Sequence, residues 1–365
     1  SKGDKKLAAG PFSVMNKNLT PPSGDKHDFL RMPTYAWPNP DTPDGLPYII
    51  RDGDAGPHIN GPDYDMGRMN KMTAGVIDLA WASLATGDEV YAHHAVRILD
   101  VWFIDPATRM NPNLTYSKYT PGDEPPYATG VIATHRWVDM VQAIGILAGS
   151  NAWTTDLGQG VRRWFADYLE WLQTSHQGLT ERDLGNNRGT WYDAQLVAFA
   201  RFVGNDDLAR EILSASCPGR LDHQIAADGS LPEELRRTKS LSYSLMTLKA
   251  WVLLALMGDR LGVDLWHWTS EDGRGLRRAL DHLAPYIGRA DAWPHRQIKP
   301  GRFGIAVIIY CAAADAYDDP GLLEPLGRLD EETWCAEPAA SLFDTSAGYA
   351  SSRASPASRA SRSAE

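Results

Sequence analysis

The stretch GNNRGTWYDAQLVAFA at residues 185–200 decides the fold, because it joins a polar segment to an apolar run without charges. Two adjacent side-chain amides are poor inside a helix and good at its start, so we expect Asn186 or Asn187 to cap a helix. The run 196–200 is typical of a buried helix. Taken alone, the segment also fits an ordinary cap followed by a solvent-exposed Arg188.

Helical spacing of apolar residues extends over most of the chain outside this stretch. Turn-forming residues separate the helical segments, and alternating β patterns are scarce. We therefore predict an all-α fold in which helical hairpins stack side by side into an (α/α) toroid, an incomplete α/α barrel with a cleft at its helix ends. The predicted helices cover residues 69–85, 88–104, 130–148, 157–174, 190–203, 206–215, 240–258, 273–287 and 302–317.

The two ends of the chain differ in texture from this helical body. Residues 1–31 are polar and lack periodicity, so we predict an extended N-terminal arm. A single toroid domain is predicted over 32–346, and it begins with a long Pro-rich loop containing interleaved aromatic residues, which we expect to be pinned onto the body. Residues 347–365 are almost all Ser, Ala and Arg and are predicted to form a disordered tail.

Composition excludes several function classes. The 365 residues carry a formal net charge of −10 and have a pI near 5.5, which argues against nucleic-acid binding. The three cysteines are too few for a disulfide framework, and we find neither a zinc motif nor a phosphate loop, so we predict no metal and no cofactor. No apolar run reaches about 18 residues, so we expect no membrane partner. The oligomeric state is left open.

A second polar cluster precedes the predicted helix 240–258. It includes Arg236, Arg237, Lys239 and Tyr243. A solvated basic turn followed by a core tyrosine is the simpler interpretation. Amide, guanidinium and phenol groups together, however, suit β-elimination from a uronic acid polymer. Amides and a guanidinium neutralise the carboxylate and so acidify the C5 proton, and a tyrosine removes that proton and protonates O4. A nearby cation is expected to lower the tyrosine pKa.

The motifs of this chain resemble those of the alginate lyase superfamily, polysaccharide lyase families 5 and 38. The similarity covers most of residues 32–317 and includes Trp37-Pro38-Asn39-Pro40, the loop 43–48, the turn 111–114 and the segment from Asp228 to Tyr243. The six-residue spacing from Arg237 to Tyr243 is closer to family 38. The resemblance implies an (α/α) toroid, and an anionic polysaccharide bound in a groove.

One position departs from the family pattern, because Arg188 stands where the family has His after the paired amides. An arginine stays protonated and cannot remove a proton, although it can neutralise a carboxylate. Three explanations remain: Tyr243 performs both proton transfers, another histidine supplies the base, or the site is weakened. We favour the first. His135 is the best substitute base, followed by His295.

We assign Tyr243, Arg237, Asn187 and Arg188 to catalysis, with Asn187 and Arg188 neutralising the carboxylate. The residues assigned to substrate binding are Asn186, Trp191, Trp37, Tyr48, Asn113, His135, Lys239, His295 and Arg296.

Two other functions remain open. A glycoside hydrolase on a similar toroid would use two carboxylic acids among Asp183, Asp193, Glu233 and Glu234. The second alternative is a catalytically weakened or inactive carbohydrate-binding relative, and Arg188 is the main observation that suggests it. The resemblance leads us to expect a secreted or periplasmic protein, although no signal peptide is present at Ser1.

Overall fold

The structure, a computed structural model, describes residues 2–124 and 127–334. The predicted tail 347–365 and the last part of the predicted domain lie outside these residues. All nine predicted helical segments contain a helix. The α-helices are α1 Lys2–Leu7, α2 Met66–Thr86, α3 Glu89–Leu99, α4 Trp137–Leu147, α5 Thr155–Thr174, α6 His176–Arg182, α7 Asn187–Val203, α8 Asp206–Glu211, α9 Cys217–Gln224, α10 Pro232–Leu235, α11 Ser240–Asp259, α12 Leu276–Leu283, α13 Gly304–Ala316 and α14 Glu331–Trp334.

Irregular helical turns extend several of these helices. Two π-helical segments prolong α3 and join α8 to α9, and 3-10 turns precede α4 and follow α12. The 3-10 segments are Val14–Asn16, Val131–Thr134, Ala284–Tyr286, Ala290–Ala292 and Pro320–Arg328, and the π segments are Asp100–Ile104 and Ile212–Ser216.

The helices form the predicted toroid. α2, α4, α7, α11 and α13 pack one against the next as an inner series, while α3, α5, α8 and α12 pack on its outside. Hydrogen bonds join the starts of neighbouring inner helices. Glu181, before α7, accepts from Gly130 and Ile132 before α4. Asn187 of α7 donates to Glu234 before α11. The starts of the inner helices therefore meet at one end of the toroid.

The inner helices are buried on most faces. In α7, thirteen of 17 residues are buried. This explains why its apolar residues are not confined to one face of the helix. Among the described residues, α11 is the helix that is long and apolar enough to span a membrane, but 78% of its most apolar stretch is buried inside the protein. Such burial is typical of a core helix.

The N-terminal segment differs from the extended arm that we predicted. α1 packs against α2, and Val14 and Phe29 are fully buried in the main core. The ammonium of Lys17 pairs with the carboxylate of Asp65 at 2.9 Å, with both side chains inaccessible to solvent. Sequence polarity suggested an arm because these few anchoring side chains lie among many exposed ones.

The Pro-rich loop is pinned onto the body, as predicted. Its two short strands, β1 (Ala36–Trp37) and β2 (Ile49–Ile50), pair antiparallel with Ala36 opposite Ile50. Leu30, Met32, Ala36 and Tyr64 form a small buried cluster beneath it. The loop therefore has a fixed position over the helix starts of the toroid.

Candidate active site

The site lies where the starts of α4, α7 and α11 meet. Asn186 caps α7, as predicted: its backbone is extended and its Oδ1 accepts the N–H of Arg188 at 3.0 Å. Gly189 lets α7 begin close to its neighbours, since a Cβ there would overlap the Leu184 carbonyl and the Arg220 guanidinium. The cap thereby directs Asn187 and Arg188 towards the other helix starts.

Asn187 binds an internal carboxylate. Its backbone N–H donates to Glu234 Oε1 at 2.6 Å, and its Nδ2 donates to both Glu234 oxygens at 3.1 and 2.9 Å. Both residues are buried. In this arrangement the donors of the Asn187 amide are used by Glu234, and its assignment to the substrate carboxylate stays a prediction. Asn187 thereby ties α7 to the segment before α11.

Arg188 also pairs with a carboxylate, but retains a free edge. Its Nε and Nη2 donate to the two oxygens of Glu181 at 2.9 and 2.7 Å. Glu181 is fully buried and also accepts the backbone N–H groups of Gly130 and Ile132 before α4. In the described part of the chain, Nη1 of Arg188 has no hydrogen-bond partner, and the side chain is 25% exposed. It can still bind an anion.

Two further cations surround this pair. Arg31 is buried and donates to the Ser117 carbonyl at 3.1 Å. Burial and the charge of Arg188 lower its pKa to about 10. Lys118 is half-buried, and burial and Arg188 likewise lower its pKa, against the charges of Glu181 and Asp123. The three cations Arg31, Lys118 and Arg188 therefore face two carboxylates, Glu181 and Asp123. The excess positive charge favours binding of a further anion.

The start of α11 holds the phenol group. Gln297 substitutes for a normal cap, because its Oε1 accepts the N–H of Leu241 at 3.1 Å and of Ser242 at 3.4 Å. Tyr243 follows in the first turn. Its Oη shares a hydrogen bond with Tyr35 Oη from the Pro-rich loop. Arg237 Nη2 donates to the same oxygen at 3.0 Å, with the guanidinium 4.0 Å from the ring centroid.

Arg237 and Tyr243 are paired in the structure, but the pKa of Tyr243 is not lowered as we expected. Burial and the hydrogen bond with Tyr35 raise the pKa of Tyr243, and the charge of Arg237 only partly opposes them. Asp52 adds to the increase, because its carboxylate lies against Arg237. Our expectation of a lowered tyrosine pKa is therefore wrong: in the resting protein Tyr243 is a protonated phenol.

The upper wall of the site comes from the loop and Lys239. The Lys239 ammonium lies 5.1 Å from the Tyr35 ring centroid and 5.6 Å from that of Tyr243. Trp37 donates its indole N–H to the Asp54 carbonyl, and the Arg51 guanidinium covers its ring at 4.6 Å. The structure thus brings Lys239 to the phenols, while Trp37 lies farther along the loop.

Tyr48 belongs to a group of tyrosines beside the loop. It packs on the small cluster of Leu30, Met32, Ala36 and Tyr64, together with Tyr116 and Tyr119. Burial raises the pKa of its phenol.

Two predicted binding residues are occupied elsewhere. Trp191 is 2% exposed and packs edge-on against His135, with ring centroids 5.1 Å apart, so it cannot stack on a sugar. Asn113 donates its Nδ2 to Asp28 Oδ1 at 3.2 Å and accepts the N–H of Thr115, so its amide stabilises a turn. Both predictions are wrong, because the residues support the framework of the site.

The candidate substitute bases do not contact Tyr243 in the described part of the chain. The Nδ1 of His135 donates to the Ile132 carbonyl at 2.8 Å, and burial lowers its pKa to about 4. His295 and Arg296 are exposed beyond the start of α11, where the Arg296 carbonyl accepts the N–H of Ser240 at 3.0 Å. These residues border the site without joining its phenol group.

The carboxylic acids that a hydrolase would need each have an internal partner. Asp193 pairs with Arg220 at 2.6 Å, and Glu234 holds Asn187. Asp183 binds the neighbouring Arg182, and Glu233 binds Arg236, both near the surface. No two of the four are linked to each other, so the arrangement disfavours paired-carboxylate chemistry. Residues 2–124 and 127–334 contain no group of three or more potential His, Cys, Asp or Glu metal ligands.

Several residues of the site were not assigned from the sequence. Glu181, Asp52 and Lys118 occur in ordinary polar segments, and Arg31 precedes the Pro-rich loop. Glu234 was named only as a possible hydrolase carboxylate. The aromatic residues of the Pro-rich loop indicated only that it is pinned onto the body, and no contact with Tyr243 was predicted for Tyr35. Its contact with Tyr243 links residues 208 positions apart.

Comparisons with known proteins agree on one family. The alginate lyase family model matches residues 13–293. An alginate lyase from Bacteroides ovatus is 36% identical, with a TM-score of 0.87 over 94% of this chain and 91% of that chain. No curated protein is significantly similar in sequence.

More distant solved structures share the fold. Alginate lyase A1-III from Sphingomonas species A1 has a TM-score of 0.57 at 16% identity, covering 93% of each chain. A variant of A1-III complexed with a tetrasaccharide has a TM-score of 0.55 at 19% identity, covering 74% of this chain and 76% of that chain. At these identities the likeness concerns the α/α toroid alone.

Proposed function

Because the chain belongs to the alginate lyase family and is a polysaccharide lyase, we propose that it cleaves a 1,4-linked polyuronate, alginate or glucuronan, by metal-independent β-elimination. The observation that carries the proposal is the position of Tyr243 beside Arg237 and Tyr35, at the same end of the toroid as the cations around Arg188. The names of the similar proteins support alginate as the first substrate to test.

In the proposed reaction, the uronate carboxylate binds at the free edge of Arg188, next to Arg31 and Lys118. Positive charge there stabilises the charge that develops on the carboxylate as C5 loses its proton. The Tyr243 phenolate takes that proton, the C5 electrons form the C4–C5 double bond, and the C4–O4 bond breaks. Tyr243 then returns the proton to O4. The product carries a 4,5-unsaturated uronate at its new non-reducing end.

Arg237 and Lys239 stabilise the phenolate that this reaction needs. Because the pKa of Tyr243 is raised in the resting protein, the phenolate is a minor species near neutral pH. We therefore expect the rate to increase with pH over the alkaline range in which the protein stays folded. His135 is not required in this scheme.

The use of one phenol for both proton transfers restricts the stereochemistry of the substrates that can react. The C5 proton and O4 must then lie on the same face of the sugar ring. They do so in D-mannuronate and D-glucuronate residues and lie on opposite faces in L-guluronate residues. We therefore propose preferential cleavage of poly-mannuronate and glucuronan over poly-guluronate.

One assay tests both the reaction and the preference. Each polymer is incubated with the protein, and ultraviolet absorbance of the unsaturated product is followed together with new reducing ends. The proposal requires absorbance growth that EDTA does not diminish and that is slowest on poly-guluronate. Reducing ends without absorbance indicate a hydrolase. Binding without either signal indicates a carbohydrate-binding relative, and both outcomes contradict the proposal.

We also propose a secreted or periplasmic location, since the polymeric substrate is found outside the cytoplasm. Cell fractionation with an antibody against the protein tests this, and recovery in the cytoplasmic fraction alone contradicts it.

A further inference from the structure

The Asp52 carboxylate, in the Pro-rich loop, receives four hydrogen bonds from the segment that precedes α11. Its Oδ1 accepts from Arg237 Nε at 3.1 Å and Nη2 at 2.5 Å. Its Oδ2 accepts from the backbone N–H and the hydroxyl of Thr238, each at 2.9 Å. Because both oxygens are bound, the plane of the carboxylate and that of the guanidinium are both fixed.

The loop backbone places Asp52 there and links it to Tyr35. Gly53 has a φ of +79°, and a Cβ there would overlap the Thr238 hydroxyl. Glycine is therefore required for the close approach of the loop to α11. The Arg51 N–H donates to the Tyr35 carbonyl at 3.0 Å. Asp52 and Tyr35 thus reach Arg237 and Tyr243 as parts of one hydrogen-bonded loop.

Charges around Arg237 are balanced in this arrangement. Burial opposes ionisation of Asp52, but the hydrogen bonds from Arg237 and Thr238 outweigh it and lower the carboxyl pKa to about 2. Asp52 is therefore an anion at any pH where the protein is expected to work. Glu234 is a second carboxylate near Arg237. Tyr243 itself faces Tyr35, Arg237 and the ammonium of Lys239.

We propose, on the basis of the proposed elimination reaction, that Asp52 is a positioning residue that holds Arg237 against Tyr243 Oη and offsets its charge. Asp52 does not touch the substrate in this role. It determines where the guanidinium points and how much of its positive charge acts on the phenol. The loop therefore controls both the geometry and the proton affinity of the group that transfers protons.

The test compares Asp52→Asn with Asp54→Asn. Both variants remove one negative charge from the same loop. The Asp54 carboxylate lies 3.7 Å from the Lys299 ammonium and accepts no hydrogen bond from Arg237. Trp37 binds only its backbone carbonyl, so Asn preserves that bond. Rates on poly-mannuronate are measured as a function of pH, with kcat and KM determined separately.

In Asp52→Asn the uncompensated guanidinium favours the phenolate, so the alkaline rise in kcat is expected to move to lower pH by about one unit. Loss of the fixed geometry is expected to lower the plateau kcat by about 10- to 100-fold with little change in KM. Asp54→Asn retains the wild-type pH profile. An Asp52→Asn profile that coincides with the wild type overturns the proposal, whatever the rate.

Asp52→Glu covers the case in which Asp52→Asn does not fold. Glutamate keeps the charge but misplaces the carboxylate, so the midpoint of the pH profile should stay at the wild-type value while kcat decreases. A shifted midpoint in Asp52→Glu contradicts the charge role.

A titration that needs no activity separates this inference from the proposed function. 3,5-Difluorotyrosine, which has a more acidic phenol, is incorporated at position 243 and titrated by ¹⁹F NMR. Its midpoint should be lower with Asp52→Asn than with Asp54→Asn, and equal midpoints overturn the inference. A wild-type protein that releases no unsaturated product contradicts the proposed function, and this titration still decides the role of Asp52.

Discussion

Tyr35 and Tyr243 lie 208 positions apart in the chain and share a hydrogen bond between their phenol oxygens. Tyr35 is carried by the Pro-rich loop, and Tyr243 lies in the first turn of α11. The proton-transfer group of the proposed reaction is therefore completed only when the loop packs on the helical body. After burial, this hydrogen bond is the largest contribution that raises the pKa of Tyr243.

Tyr35→Phe removes that contribution while it keeps the ring. The pKa of Tyr243 is expected to fall, so phenolate forms at lower pH and the alkaline rise in kcat moves to lower pH. Because Tyr243 also loses a positioning contact, the plateau kcat is expected to decrease by about tenfold. The measurement is the pH dependence of kcat on poly-mannuronate. Tyr286→Phe is the control, because its ring packs on Trp293 and makes no contact with Tyr35 or Tyr243 in the described part of the chain. A profile of Tyr35→Phe identical to that of the control contradicts the prediction.

Arg188→His tests whether the permanent positive charge of the Arg188 guanidinium neutralises the substrate carboxylate. An imidazole next to Glu181 titrates near neutral pH, so the variant should keep the positive charge at acidic pH and lose activity on poly-mannuronate on the alkaline side, where the wild-type Arg188 stays charged. Its neutral form can also accept a proton on the side of the sugar ring opposite Tyr243. We expect a gain of at least about tenfold on poly-guluronate relative to poly-mannuronate.

The readout for Arg188→His is the ratio of initial rates on the two polymers, with Arg182→His as a surface control. An unchanged ratio and an unchanged alkaline limb of the pH profile on poly-mannuronate together refute the assignment of Arg188 to the substrate site.

Asn187→Ala is predicted to affect stability as well as activity. It removes two side-chain donors from Glu234, a buried carboxylate whose pKa is already raised by burial. The free energy of unfolding should fall by about 2–3 kcal/mol, because the buried carboxylate loses two side-chain donors and keeps the backbone N–H of residue 187. Urea denaturation measures the loss. The double variant Asn187→Ala/Glu234→Gln should recover part of the lost free energy of unfolding. Losses in the two single variants that simply add in the double variant would contradict the prediction.

The lowered pKa of His135 predicts that the folded protein loses stability in acid. The folded-state pKa is about 4, below the ordinary value of 6.5, so protons bind preferentially to the unfolded chain. This contribution to stability is complete above pH 6.5 and is lost as the pH falls towards 4, by about 1.4 kcal/mol per unit. His135→Gln should flatten the dependence measured by urea denaturation, and His295→Gln, at an exposed histidine, should not. Equal slopes in the two variants are evidence against a buried neutral His135.

The helical body was predictable because its signals are local. Apolar periodicity and turn residues identified the nine long segments, and paired amides identified the cap at Asn186. The additional helices α1, α6, α9, α10 and α14 are four to eight residues long, too short for periodicity to mark them. The N-terminal segment was misjudged because a few buried anchors, such as Phe29, are hidden among polar residues.

The site was predictable only where its residues adjoin a helix start. Arg237 and Tyr243 were paired correctly from their spacing. Asp52 was missed because its importance comes from the tertiary packing of the loop on α11. Trp191 was misassigned for a related reason: α7 is buried on most faces, so periodicity alone does not distinguish a cleft-lining ring from a core ring.

The most direct test of the account is the rate at which Tyr243→Phe releases unsaturated product from poly-mannuronate, compared with Tyr286→Phe. Phenylalanine keeps the packing of α11 but can neither accept the C5 proton nor protonate O4. The account predicts that Tyr243→Phe binds the polymer and produces no absorbance above background, while Tyr286→Phe retains the wild-type rate. A folded Tyr243→Phe protein that forms the product at a rate near that of the wild type would contradict it.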